Sequence, residues 1–321
     1  MMATGVVSLS LRAASVEPLS LVFLGLAAAG YVELIVAEGL KLGRARESLR
    51  GLDGVRGRLG LFAFATGSAV LASRFTVLGL DWLGVVLLVI GGVAALAFSY
   101  LVPVTLALRR EGLRMLGQGG GAWLLWAVSL EAVGIAASEL SHSAHFAPQA
   151  MAVLAAGLWG LGLLIYLPLL VLLGGNLLFS RAPVPPVGPS YWICMGAAAV
   201  SVVAGCQIVA DPATTRLLPY LRAPVLAADT WLWALATALL PLLVALVLTR
   251  WRRRHQLSPS PNEVWVAVFP IGMYSLASSQ LGAALHFPWL VDTGHIAVWL
   301  ALAAWLVDLG RGVLMRLLPS E

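Results

Sequence analysis

Charge is scarce in this chain: Asp, Glu, Lys and Arg make up 11% of its 321 residues, against about a quarter in a soluble domain. A water-facing surface cannot be covered with so little. With 60% hydrophobic residues and a mean hydropathy of +0.92, the expected solvent is lipid. Cysteine is nearly absent too. Cys194 and Cys206 lie twelve positions apart in one apolar run, about 18 Å along a helix, which excludes a bridge within it and leaves both as small packing residues. Histidine is missing from the middle of every apolar run. His142, His145, His255, His286 and His295 fall at run ends or in loops, so paired haem ligands are excluded. A metal held by His142 and His145 with His286 or His295 is a weaker reading than solvated rim histidines. No phosphate-cradling glycine loop is present, which argues against an ATP-driven pump. No catalytic residue, cofactor or metal is expected, and the chain is not read as an enzyme. The first apolar run lacks the charged leader and cleavage site of a signal peptide. The basic pI of 9.7 does not point to nucleic acid, because the basic residues stand in short groups between apolar runs.

What is present is a series of apolar runs of spanning length. A spanning helix needs about 20 mostly apolar residues, and breaks in the pattern place helices near 1–11, 18–41, 57–77, 80–108 and 120–140, then 147–178, 189–210, 223–249, 262–286 and 288–315. The expected fold is an all-α integral membrane protein of ten transmembrane helices, with residues 1–321 forming a single transmembrane domain. Loops after even-numbered helices hold sixteen of the twenty basic residues, including the WRRRH cluster at 251–255, which is read as a topology and anionic-lipid determinant. Arg12, Arg74, Arg216 and Arg222 fall after odd-numbered helices. Positive residues stay in the cytoplasm, so both termini are expected there, in a multi-pass protein of the inner (plasma) membrane. The first run, MMATGVVSLSL, is about half the crossing length. Helix 1 therefore starts near mid-membrane or is truncated at its N-terminus, and the second is the expectation.

The odd-numbered helices share one pattern. MATGVVS, FATGSAV, EAVGIAAS, VAGCQI and FPIGMYS each set one glycine among small or hydroxyl-bearing residues, at Gly5, Gly67, Gly134, Gly205 and Gly272. Their separations of 62, 67, 71 and 67 residues equal two helices and two loops, the period of five successive helical hairpins. Even-numbered helices are bulky and uniformly apolar, which suits lipid, whereas small and polar residues belong inside. Five odd helices therefore form an inner ring in a quasi-fivefold arrangement, with five even helices outside. Gly5, Gly67, Gly134, Gly205 and Gly272, with Thr4, Ser8, Thr66, Ser138 and Ser275, are the candidate pore-lining residues; close helix packing is the competing reading of the glycines. Pro270 frees a backbone carbonyl one turn earlier, which is tolerable at membrane depth where protein or water meets it.

At these residues the chain resembles the tellurite-resistance/dicarboxylate transporter family, which includes bacterial TehA, fungal malate and sulfite carriers and the plant slow-type anion channels. MATGVVS, GAWLLWAVSLEAV, YWICMGAAAV and VWVAVFPIGMYSLAS carry the likeness, in order, over nearly the whole chain. The resemblance implies ten helices in five hairpins, a path for small inorganic or organic anions along the inner ring, and a homotrimer in which each protomer has its own pore. It also implies a gate, a helix-9 phenylalanine plugging the pore at mid-membrane, with Phe269 beside Pro270 at the matching position. The expected function is passive or gradient-driven passage of small anions. A proton-coupled malate-like dicarboxylate or sulfite carrier is the alternative, and an intramembrane enzyme or sensor is more remote.

No Arg or Lys falls in the middle of any odd helix, so selectivity is expected from hydroxyls and exposed backbone, which bind weakly and release quickly. Glu131 lies three residues before Gly134, near the same helix face. In a conduction path its carboxylate would repel anions. The expectation is therefore that desolvation keeps it protonated, as a hydrogen-bond donor or a proton-linked group, against an inert role bonded to neighbouring hydroxyls. Glu33, Glu38 and Asp229 are further acids within spans, and Asp308 is read as pairing with Arg311.

Overall fold

A computed structural model describes residues 1–42, 55–107, 118–143, 146–179, 189–253 and 265–317. Ten long helices account for most of these: α1 Met2–Ala13, α2 Glu17–Leu42, α3 Leu61–Val77, α4 Asp81–Ala107, α5 Leu125–His142, α6 Pro148–Phe179, α7 Trp192–Ala210, α8 Arg222–Arg253, α9 Trp265–Leu285 and α10 Pro288–Leu317. Eight are long and apolar enough to cross a membrane. The other two are α1, with 12 residues, and α9, whose hydropathy is diluted by Ser275, Ser278, Ser279 and Gln280. Most of the basic clusters expected in the connections at 43–54, 108–117, 180–188 and 254–264 lie outside the described residues.

Each odd helix packs against the next even one as a hairpin, and α1, α3, α5, α7, α9 and again α1 touch in closed succession. The inner ring therefore closes on itself. Each even helix also leans on the following inner helix, α2 on α3, α4 on α5, α6 on α7, α8 on α9 and α10 on α1. Burial follows: 67%, 94% and 89% of the spans of α3, α5 and α7 are buried, against 22% to 33% for the even helices. The even helices keep apolar surface such as Val171, Leu164, Val93 and Leu300 outward, as a lipid-facing layer requires.

Within hairpins, glycine sets the distance. A Cβ on Gly282 of α9 would lie 2.7 Å from the backbone nitrogen of Val291 in α10, and one on Gly91 of α4 would lie 3.1 Å from the Ala65 carbonyl in α3. Without a hydrophobic gain between helices in lipid, such close approach supplies the van der Waals contact that holds them. Between hairpins, an aromatic side chain bonds across each seam. Tyr31 of α2 shares a 2.8 Å hydrogen bond with Ser68 of α3. Trp126 of α5 donates to Ser99 of α4 at 2.9 Å, and Trp159 of α6 donates to the Ser201 carbonyl of α7 at 3.1 Å. Trp233 of α8 donates to Ser278 of α9 at 2.8 Å, and Trp305 of α10 donates to Thr4 of α1 at 3.1 Å. Five seams thus carry five polar bonds, the last of them closing the ring.

Arg74 departs from the expectation of a loop cation. It lies in the last turn of α3, fully buried, with three neighbours that meet Nε and Nη2, while Nη1 has no hydrogen-bond partner among the described residues. Nε donates to Ser8 Oγ at 3.1 Å, Nη2 donates to Ser20 Oγ at 2.8 Å, and Glu17 lies 3.6 Å away. Ser8 and Ser20 also donate to each other's carbonyls, at 2.7 and 2.8 Å, so one guanidinium ties α1 and α2 to α3. α1 is tied further by Ser10, which donates to the Gly272 carbonyl of α9 at 2.8 Å. Replacing Arg74 with Met should lower unfolding stability in detergent by about 1–3 kcal/mol, the cost of leaving buried partners unmet. Gly282→Val should cost a similar amount by overpacking, while Gly174→Val, where nothing lies within 4 Å of the added Cβ, should leave the melting temperature nearly unchanged.

Candidate anion path and its constriction

The inner helices converge on one small cavity. Its walls are Leu9 of α1, Thr66, Val70 and Ser73 of α3, Ala132 and Ile135 of α5, Val200 and Val203 of α7, and Phe269, Met273 and Leu276 of α9. All five inner helices contribute, so the cavity marks the axis of the ring. Free volume is about 20 Å³, room for little more than one water. Helical spacing explains the lining: 66, 70 and 73, like 269, 273 and 276, fall on one face of a 3.6-residue helix.

Phe269 is 2% exposed and its side chain borders this cavity. Pro270 points the other way, against α7, where a Cβ on Gly196 would lie 3.0 Å from Pro270 Cγ. The wall is otherwise aliphatic. Its two hydroxyls bond back into their own helix, Thr66 to the Phe62 carbonyl at 2.9 Å and Ser73 to the Ala69 carbonyl at 3.2 Å. No cation lines the constriction.

The sequence-derived lining residues distribute differently. Of those named, Thr66 and Phe269 border the cavity; none of the five glycines does. Gly5 faces Val70 of α3, Gly67 faces Met1, Gly134 faces Ala155 and Leu158 of α6, Gly205 faces Asp229 of α8, and Gly272 faces Val6 of α1. The geometry is that of helix packing, which was the competing reading. The remaining hydroxyls serve seams as well. Thr4 accepts from Trp305, Ser8 from Arg74, and Ser275 donates to the Gly294 carbonyl of α10 at 2.7 Å. Ser138 is buried with no hydrogen-bond partner for its hydroxyl among the described residues.

Glu131 shares the Gly134 face, as its spacing requires, but that face looks away from the axis. It accepts from Ser201 Oγ of α7 at 2.7 Å and presses on Gly162 of α6. Carboxylate repulsion in the conduction path is therefore not a difficulty at this residue. The residues missed from sequence were Leu9, Val70, Ser73, Ala132, Ile135, Val200, Val203, Met273 and Leu276. Ala132, Ile135, Val203 and Met273 stand one or two positions from a conspicuous glycine, about 100° or 200° around the helix, and the others continue the same faces at i+3 and i+4 spacing, a largely apolar stripe that was their signal. Of the rim histidines, His142 Nδ1 donates to the Ser138 carbonyl at 2.8 Å, and His145 lies outside the described residues.

A family model described as voltage-dependent anion channel (SLAC1) matches residues 1–313. Two curated relatives are uncharacterized membrane proteins of Mycobacterium tuberculosis, MT1776 of strain CDC 1551 / Oshkosh and Rv1735c of strain H37Rv. Each is 34% identical over 140 residues, covering 41% of this chain and 70% of the relative.

If the glycines pack rather than line, substitution should act on stability first. Gly134→Leu, driven into the Ala155 carbonyl and Leu158 across the α5–α6 seam, should lower the melting temperature of the purified protein. Val203→Ala, on the cavity wall, should lower it less and instead widen the axis. A reversed order of the two melting shifts would restore the glycines to the pore wall.

Proposed function

The chain belongs to the voltage-dependent anion channel family, and we propose that it passes small anions along the axis of its inner ring, with the Phe269 ring as the gate. The observation that carries this reading is the position of Phe269 at a constriction to which all five inner helices contribute. An aromatic ring in an apolar neck of this size blocks ions sterically and by excluding water. Swinging it aside opens the neck, and Pro270, lodged against Gly196, fixes the backbone from which it swings.

The wall favours a channel over a tightly binding carrier. It offers no cation, and its hydroxyl protons are already given to helix carbonyls. An anion crossing it must shed water and receives little in return. Binding in the neck is therefore shallow, dehydration sets the barrier, and anions that dehydrate easily, such as nitrate, should cross more readily than chloride. In this reading the hairpin turns face outward, the termini are cytoplasmic, and the exposed apolar even helices meet lipid and the neighbouring protomers of a homotrimer in the inner (plasma) membrane.

Purified protein reconstituted in planar bilayers tests the gate directly. Phe269→Ala should raise anion current about tenfold or more, and Phe269→Leu by less, because a smaller side chain leaves a wider neck. A well-folded Phe269→Ala protein with wild-type current would place the constriction elsewhere. Chemical cross-linking in native membranes that stopped at the dimer would remove the trimer.

A further inference from the structure

Behind α7, on the side away from the axis, lie two buried acids that the anion path does not use. Asp229 of α8 is fully buried, its carboxylate flush against Gly205, where a Cβ would overlap it. Its Oδ1 has no hydrogen-bond partner among the described residues, and Oδ2 accepts from the Cys206 thiol at 3.7 Å. Glu131 of α5 is also fully buried, and its Oε2 has no partner. The acids meet α7 at Gly205 and Ser201, one helical turn apart. The titratable groups facing them are Cys206 for Asp229, and Tyr166 of α6 and Cys194 of α7 near Glu131. None is cationic, and no ion pair to either acid occurs among the described residues. A bare carboxylate in such a place is costly; a carboxyl with a proton is not.

Cys206 has a second face. It borders a cavity of about 400 Å³ at the hairpin-turn end, between α7, α8 and α9, whose rim carries Arg222, His286, Gln207 and Gln280. Cys206 thus adjoins that cavity and, through its thiol, Asp229.

We propose that Asp229 is a proton-binding site filled from the hairpin-end cavity through the Cys206 thiol, and that its occupancy, shared with Glu131, sets the position of α7 against the anion axis. The sulfur's proton passes to Oδ2 while a hydronium in the cavity restores the thiol, so the net event is uptake of one proton from that side. Losing it leaves a charged oxygen against Gly205, with no cation facing it among the described residues. Water drawn in behind α7 then displaces the helix, whose other face carries Val200 and Val203 of the constriction, towards the axis. Acid at the hairpin end therefore opens the path and alkali narrows it. The effect on flux rests on the anion-passage reading above; proton binding does not.

The test uses the full chain in oriented proteoliposomes, with nitrate flux followed while pH is stepped on one side at a time. Wild type should respond to pH at the hairpin end, with Asp229→Asn fixed at the acid-side flux and Glu131→Gln showing a smaller span. In parallel, the infrared band of a protonated carboxyl should be present in wild type and reduced in Asp229→Asn. A full wild-type pH response in a well-folded Asp229→Asn protein, or a response only to pH at the opposite end, overturns the proposal. Should Asp229→Asn fail to fold, Cys206→Val decides: it should slow the response to a pH step severalfold, and an unchanged rate counts against the route. Wild type without flux but with the Asp229 carboxyl band would sink the anion-passage reading and leave the proton site standing.

Discussion

Lipid gives apolar helices no reason to prefer one another to acyl chains, so this ring depends on what replaces the hydrophobic effect at its seams. Two devices do so. Inside three of the five hairpins, α3–α4, α5–α6 and α9–α10, the absence of side chains brings backbones close, as at Gly282 against Val291. Between hairpins, an aromatic donor or partner bonds a hydroxyl or carbonyl of the neighbouring helix, at Tyr31, Trp126, Trp159, Trp233 and Trp305. Each such bond in a membrane protein contributes about 0.6 kcal/mol on average. A single one therefore decides little. Five distributed around a closed ring fix the relative height of all ten helices, and with it the register of the side chains that meet on the axis.

The same accounting explains what was legible in the sequence. Ten helices in five hairpins, odd inside and even outside, could be read because lipid imposes length and hydropathy on every span, and because burial separates small from bulky residues. The place of Phe269 came from the family resemblance, with the FP step beside it. The glycine period was legible as well, but it left lining and packing both open, and each of the five glycines faces a neighbouring segment of the chain. Gly134 and Gly205 recur because hairpin seams recur, and a seam needs a missing Cβ as much as a pore does. Sequence shows that a residue is small; it does not show which neighbour occupies the space. The cavity wall was harder still to see, since Val70, Ile135, Val203 and Met273 resemble any other aliphatic residues in a membrane helix.

Arg74 is the instructive exception. Its charge and its position near a turn made it look like a loop residue, and the bonds that draw it inside come from Ser8 and Ser20, more than fifty positions away in sequence. A guanidinium can sit in the membrane when fixed dipoles surround it, and here the dipoles belong to the hairpin that needs holding.

Placing charge and polarity behind the inner ring also shapes the axis. An aliphatic wall with one aromatic plug is a poor place for water, which makes it an effective seal and a weak binding site at once. Acids on that wall would repel anions, and cations would trap them. With Glu131 and Asp229 turned to the rear of α7, and Arg74 turned towards α1 and α2, the neck keeps neither kind of charge. Control then has to reach the neck through helix position, because no group on the wall can titrate. α7 is the element suited to it, since one face meets the two acids and the opposite face presents Val200 and Val203 to the ring of Phe269.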